Sequence, residues 1–370
     1  MKFICDKILL SNAIDGVSKA VTNRSAIPVL EGILLKAEGF QLTLTGYDME
    51  IGITTTIESN VLVPGETVLN AKQLGDIIHR MPAGEVELEL SNNGTVTIKG
   101  GVAEFEIPAM MAGDYPSLPN PGADHTTTMP CAKLADMLNK TLYAVSQDEK
   151  KPAHTGELFV IEPGKLTIVA LDGYRLAIVS REVECTRDIR IIIPGKTLQE
   201  LLKLMGDDEN DTVTIDANRR YAVFHTKQYT VMSRLIEGDF LNYESVIPQG
   251  ASTTATIECR DFIDTIERAS LIITERLKNP LRITFNQAEN KVLVRCQTNL
   301  GRVQDEFDAK IDGNTVEIGF NNRYLLDALR NSKAERVTFQ MNGALSPIKI
   351  LPEEGDDFTY LVLPVRFKND

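Results

Sequence analysis

The sequence predicts an α+β chain of three similar tandem domains, and three observations predict it. Apolar residues Leu10, Leu74, Leu134, Leu198, Phe262 and Leu325 recur at intervals of 60 to 64 positions. Each opens an i, i+3, i+4 pattern, which is one face of an α-helix, and the stretches between carry period-2 or β-branched runs. Proline-bearing segments stand near one third and two thirds of the 370 residues.

In chain order the helical patterns are Leu10-Ala13-Ile14, Leu74-Ile77-Ile78, Leu134-Met137-Leu138, Leu198-Leu201-Leu202, Phe262-Thr265-Ile266 and Leu325-Ala328-Leu329. Strand-like runs follow them, among them 86–90, 213–215 and 337–339. A repeat of this size with one helix buries little alone, so stacking is required. Two repeats together give about 123 residues, a common domain size. The seams fall at 115–121 and 246–250, each preceded by Gly-Asp-aromatic text, Gly113-Asp114-Tyr115 and Gly238-Asp239-Phe240. The predicted domains are 1–121, 126–248 and 252–370.

The opening Met1-Lys2-Phe3-Ile4-Cys5-Asp6 lacks the apolar core of a signal peptide. No apolar stretch approaches the roughly 18 residues a membrane helix needs. Five scattered cysteines, an odd number (Cys5, Cys131, Cys185, Cys259, Cys296), read as reduced, small buried residues. The expectation is a cytoplasmic protein without membrane contact.

Net charge is −13, which counts against nucleic acid until its distribution is considered. The six helical windows hold twelve Lys or Arg against eight Asp or Glu, leaving the acidic excess on strands and loops. Lys72-Asp76-Arg80, Lys133-Asp136-Lys140, Lys196-Glu200-Lys203, Arg260-Asp264-Arg268 and Arg323-Asp327-Arg330 repeat one arrangement. Each helix is expected to turn an apolar stripe inward and a mostly basic stripe outward. On this reading Lys72, Arg80, Lys133, Lys140, Lys196 and Lys203 face DNA; a solvated face with i, i+4 ion pairs is the alternative. Such a wall suits a phosphate backbone. Base readout is not expected: there is no zinc-finger spacing, no tryptophan and 6% aromatics.

Enzyme motifs fail. Pro194-Gly195-Lys196-Thr197 resembles the end of a phosphate loop, but Arg190 stands where the loop needs glycine. The four histidines (His79, His125, His154, His225) lack metal-ligand spacing. Glu353, Glu354, Asp356 and Asp357 around Gly355 read as a hairpin loop in preference to a cation site. No catalysis, metal or cofactor is expected.

Five segments carry a family resemblance: 23–30 (NRSAIPVL), 170–177 (ALDGYRLA), 235–240 (LIEGDF), 319–324 (GFNNRY) and 360–367 (YLVLPVRF). In this order and spacing the chain resembles the bacterial sliding clamp family, the β subunit of DNA polymerase III, from Met1 to its C-terminus. The resemblance implies the DNA-clamp fold, three domains each with two helices packed on antiparallel sheet. It also implies a head-to-tail homodimer ring around duplex DNA, conferring processivity on the replicative DNA polymerase. Other implied partners are an ATP-driven clamp loader, repair polymerases and mismatch-repair proteins, all docking short peptide motifs.

Carried over residue by residue, the partner-peptide groove comprises Leu171, Gly173, Tyr174, Arg175, Leu176, Val246, Asn321, Tyr324 and Ser346, completed by Leu363, Pro364, Val365 and Arg366. Arg175 is expected to donate hydrogen bonds to peptide carbonyls. Arg24 and Gln147 match DNA contacts, and Leu271, Ile272 and Ile273 match the dimer edge. His154, Leu241, Ser245 and Leu277 depart from the family pattern at or near the groove. The competing reading is a ring- or arc-shaped interaction scaffold without DNA function.

Overall fold

The computed structural model describes residues 1–367 apart from 23, 120, 121, 123, 186, 207, 209 and 274–279, so Leu277 lies outside the described residues. All six predicted helices form: α1 Lys7–Ser18, α2 Ala71–Arg80, α3 Cys131–Thr141, α4 Gly195–Leu204, α5 Cys259–Ser270 and α6 Asn322–Ser332. Their starts are chemically marked. The Asp6 carboxylate accepts the N–H groups of Ile8 (2.8 Å) and Leu9 (3.0 Å), Asn70 accepts that of Gln73 (3.0 Å), and Asn321 that of Arg323 (2.9 Å). Each satisfies orphan donors of a first turn, worth about 1 kcal/mol. The predicted apolar stripes are buried, with Leu202 only half so. A fully covered leucine such as Leu10 contributes about 1.5–3 kcal/mol relative to exposure.

The order strand, helix, four or five strands, helix, three strands occurs three times along the chain. All ladders pair antiparallel, as in Leu34↔Thr45 and Thr338↔Leu351. The chain condenses into two compact units, Met1–Lys133 with Lys196–Leu235, and Leu134–Gly195 with Ile236–Asp370. These do not follow the thirds, and the reason is main-chain pairing. In the first unit Tyr229–Arg234, last strand of the second repeat, pairs with Ile51–Glu58, fourth strand of the first repeat, in the register Met232↔Gly52. In the second unit Thr359–Val362, last strand of the third repeat, pairs with Arg175–Glu182, fourth strand of the second, in the register Leu361↔Leu176. Sheets of eight and nine strands result.

The seam segments are strapped down. Tyr115 is buried against Tyr47 and Val68 and donates its hydroxyl to the Thr45 carbonyl (3.3 Å). In the second unit Tyr243, just before the second seam, is likewise buried, against Leu158, Leu171 and Leu176. Among the described residues no helix is long and apolar enough to cross a membrane.

Candidate partner-peptide groove and cationic helix faces

The residues expected to form a groove gather in the second unit around the turn joining Lys165–Leu171 to Arg175–Glu182. The Asp172 carboxylate accepts the N–H groups of Tyr174 (2.9 Å) and Arg175 (3.0 Å), closing an Asx turn. Gly173 sits at φ +92°, where a side chain is strained, so glycine is the residue that lets the turn close. Tyr174 is thereby held out into solvent, 60% exposed, and stacks on Tyr324 of α6 with ring centroids 5.8 Å apart.

Arg175 differs from expectation. Its Nε donates to Asp172 (3.0 Å), its Nη1 donates to Asp327, and its guanidinium lies 4.9 Å from the Tyr324 ring centroid and 5.3 Å from that of Tyr143. With its side chain 10% exposed, it buttresses the tyrosines instead of standing free to meet peptide carbonyls.

The chain end supplies the other wall. Thr359–Val362 is a buried strand, and the chain then leaves the sheet with Leu363 and Val365 each more than a third exposed. The Leu363 N–H donates to the Tyr174 carbonyl (2.9 Å) and that of Val365 to the Gly319 carbonyl (2.8 Å). The terminal apolar run is thus part strand and part open surface. Leu171 and Leu176 form a floor with Leu158, Val160, Ile192 and Leu361, on which Phe240 and Ile247 pack. Val246 is exposed beside them in sequence, and Asn321 caps α6. Ser346 lies two residues before Ile348, which pairs with Val362 at the end of the terminal strand, and Arg366 is exposed.

The cationic faces are less uniform than the sequence suggests. Lys72 (80% exposed) and Arg80 (76%) flank Asp76 on α2, Lys196 lies 3.7 Å from Asp48, and Lys203 pairs with Glu200 (2.9 Å). Lys133 is half-buried, and Arg24 and Gln147 are exposed on loops. Helix α1 breaks the pattern, presenting Ile8, Leu9, Asn12 and Asp15 to solvent.

Lys140 overturns its expected role. Its side chain is 7% exposed and is held by Asp136 (2.9 Å) and Asp357, which Arg181 also bridges. Burial alone would raise the Asp136 carboxyl, but the hydrogen bonds from Lys140 and Arg181 outweigh it and hold it below its ordinary range. The ammonium is consumed inside the unit because Asp357 comes from a distant loop that helical spacing could not reveal. Lys140→Ala should cost about 1–3 kcal/mol in chemical denaturation, by removing two charge-assisted hydrogen bonds while Arg181 still holds both carboxylates. Lys72→Ala should cost less than about 0.5 kcal/mol; equal losses would contradict the assignment.

Three family models of the DNA polymerase III beta subunit match the chain: the N-terminal domain over residues 1–119, the central domain over 128–242 and the C-terminal domain over 244–366. The Beta sliding clamp of Bacillus subtilis (strain 168) is 31% identical over 377 residues, spanning 99% of this chain and 100% of the relative. The chain belongs to the DNA polymerase III beta subunit family, the beta sliding clamps.

Solved structures agree. A DNA polymerase sliding clamp from Bacillus subtilis superposes with a TM-score of 0.96 at 30% identity over 100% of both chains. A putative DNA polymerase III beta subunit from Eubacterium rectale gives 0.95 at 31% over 99% of each. In this clamp-family chain, sequence reasoning missed the groove's supports, Asp172, Asp327 and Tyr143. Asp172 was findable, since an Asp two residues before an exposed turn position is an Asx-turn signal. Tyr143 and Asp327 carry no local signal, because only the tertiary fold brings them to Arg175.

Proposed function

We propose that the chain is a non-catalytic processivity clamp. Two copies join head to tail into a ring around duplex DNA, and the groove tethers the replicative polymerase, the clamp loader and repair proteins by short apolar peptides. One observation carries this reading. Twice within the chain, the last strand of one repeat pairs with the fourth strand of the repeat before it. The same rule leaves two strands over: Ala103–Pro108, last of the first repeat, and Gly301–Asp308, fourth of the third. Each is an edge strand. A strand edge that bears unpaired N–H and C=O groups is a template for another chain. Pairing them between copies uses up both edges and gives six repeats in a closed, head-to-tail set.

The register follows from the internal junctions. Met232↔Gly52 and Leu361↔Leu176 correspond to Glu106 opposite Arg302 of a second copy, and Val231↔Ile53 corresponds to Phe105 opposite Val303. Opposite charges and an aromatic–branched pair then face each other, both favourable across a ladder. Lys19 of α1, 3.9 Å from Glu200, corresponds to Leu271 approaching Asp76. Leu271 is 82% exposed, with Ile272 and Ile273 half-buried after it. A cleft of about 430 Å³ between α2 (Lys72, Gln73, Asp76, Ile77) and Phe105 and Ile107 would receive it.

Enclosure explains how an acidic chain can hold DNA. Paired cations give a weak, screened field, so residence comes from topology while the phosphates slide past Lys72, Arg80, Lys196 and Lys203. After enzymatic loading onto a nicked circle, the protein should be retained and should leave when the circle is cut. Retention that survives cutting, or none at all, refutes the ring. Lys72→Glu with Lys196→Glu should reduce loading several-fold at low salt without changing the unfolding midpoint by more than a degree or two; unchanged loading would remove α2 and α4 from the DNA face.

A further inference from the structure

Three times along the chain, a segment leaving its sheet donates a main-chain hydrogen bond to an edge strand. The Met110 N–H donates to the Val68 carbonyl (2.9 Å), that of Ile236 to Ile192 (2.9 Å) and that of Val365 to Gly319 (2.8 Å). From each acceptor residue a row of facing positions crosses the next two strands. The rows are Val68–Leu34–Thr45, Ile192–Leu158–Val169 and Gly319–Arg282–Arg295. The first two are covered by the protein's own chain. Tyr115 and Leu118, beyond Met110, join the cluster of Val68 and Leu34, and Phe240 and Ile247, beyond Ile236, pack on the cluster of Leu158, Val169 and Ile192.

The third row has a different chemistry. Ile283, Phe285, Val292 and Val294 are 0% exposed on one face of its sheet, so Arg282, Thr284 and Arg295 take the other. The Arg282 and Arg295 side chains stay 35% and 41% exposed, and Phe367 packs over Gly319 with its ring centroid 4.1 Å from the Arg282 guanidinium. Like charges directly opposite on a ladder repel. Glu317 relieves the conflict, accepting from Arg282 Nη1 (2.9 Å), Arg295 Nη2 (3.1 Å) and the Thr284 hydroxyl (3.0 Å). Two cations thus share one carboxylate, which leaves one net positive charge on this face of a chain of net charge −13. Glu317 engages one terminal nitrogen of each guanidinium, a group whose planar fork of five donors matches carboxylates.

We propose that Arg282 and Arg295 form a docking site for an extended acidic segment of a partner protein, whose carboxylate binds between them. The first two rows show that the fold accepts polypeptide in this place, and the change from apolar residues to arginines sets the charge of the segment that suits the third. A nucleic-acid strand fits less well, because its phosphates recruit several cations and this face offers one in excess. The site lies outside the partner-peptide groove and does not depend on it.

The test uses the full chain and fluorescence anisotropy in dilute salt. The probes are a labelled peptide, Gly-Ser-Glu-Val-Glu-Ser-Gly, and its copy with glutamine in place of glutamate. Wild type should bind the acidic peptide about tenfold more tightly, the scale of one charge-assisted hydrogen bond. The preference should shrink in molar salt, where the charges are screened. Arg295→Gln should bring the ratio within about twofold. Glu317→Gln keeps an oxygen for the arginines but removes the competing charge, so it should tighten the acidic peptide several-fold, a gain that a misfolded variant cannot give. No preference in wild type, or a preference that Arg295→Gln leaves intact, overturns the proposal. Weakened binding in Glu317→Gln with an unchanged thermal midpoint does the same. A short thymidine oligonucleotide that binds wild type more tightly than the acidic peptide, and is lost in Arg295→Gln, would make this a phosphate site and overturn it as well.

Discussion

Glu106→Pro is expected to leave a folded monomer of 40.9 kDa in place of the proposed head-to-tail dimer. The argument turns on which way strand N–H groups point. The Ala109 N–H donates to the Gly94 carbonyl, on the home side of the strand Ala103–Pro108. By the period of two, Ile107 and Phe105 also point home, toward Val96 and Ile98, whereas Glu106 and Glu104 point away from their own sheet. Proline at 106 therefore removes a donor that its own sheet does not use, and edge positions tolerate proline. The same change blocks the ladder to a second copy, costing about 2–3 kcal/mol per junction in a lost hydrogen bond and steric conflict. A head-to-tail ring contains two such junctions, so association should weaken on the order of a thousandfold or more. Sedimentation at micromolar concentration reads this directly, and circular dichroism reports whether the fold survives. A charge exchange gives an independent check, because Glu106→Arg and Arg302→Glu should each weaken the dimer and the pair together should restore it. A Glu106→Pro dimer of undiminished affinity would mean that the copies meet along other edges.

The fold was legible in the sequence wherever period and burial agreed. Leu74, Ile77 and Ile78 of α2 predict their helix and its inner face because an apolar stripe at helical spacing has to be covered, and all three are buried. Strand partners across the seams were not legible. Gly52 meets Met232, and Leu176 meets Leu361, through pairings that depend on the whole fold, so equal thirds in sequence become two units in space. The residues of the proposed groove show the same division. Tyr174, Leu363 and Val365 are exposed apolar residues, as a docking surface needs. The role of Arg175 was misread, since its partners Asp327 and Tyr143 are 152 and 32 residues away. Lys140 was misread for the same reason: helical spacing gives the outward angle of a side chain but not what another segment lays over it.

Glu157 gives the second large expected effect, a loss of stability as the solution is made alkaline. It lies in Gly156–Glu162, paired with Ile193, and is 0% exposed. Neither carboxyl oxygen has a hydrogen-bond partner. The neighbouring Thr141 hydroxyl gives its proton to the Met137 carbonyl (2.9 Å), which leaves it only an acceptor, suited to a neutral acid and not to a carboxylate. Burial pushes the Glu157 carboxyl up to about 8 from an ordinary 4.5. A raised acid keeps its proton in the native state while the unfolded chain has lost it. Between about pH 4.5 and pH 8 the native state therefore binds more protons, and stability falls as pH rises through that window. Above it both states are ionised and the loss is complete, on the order of 5 kcal/mol when the shift is converted at 1.36 kcal/mol per unit. Glu157→Met keeps the volume and removes the titration. Its denaturation midpoint should match wild type within about 1 kcal/mol near pH 5 and exceed it by several kcal/mol at pH 9. Parallel stability profiles for the two proteins from pH 5 to pH 9 would show that Glu157 is not the group that titrates, and a wild type gaining stability over that range would reverse the sign.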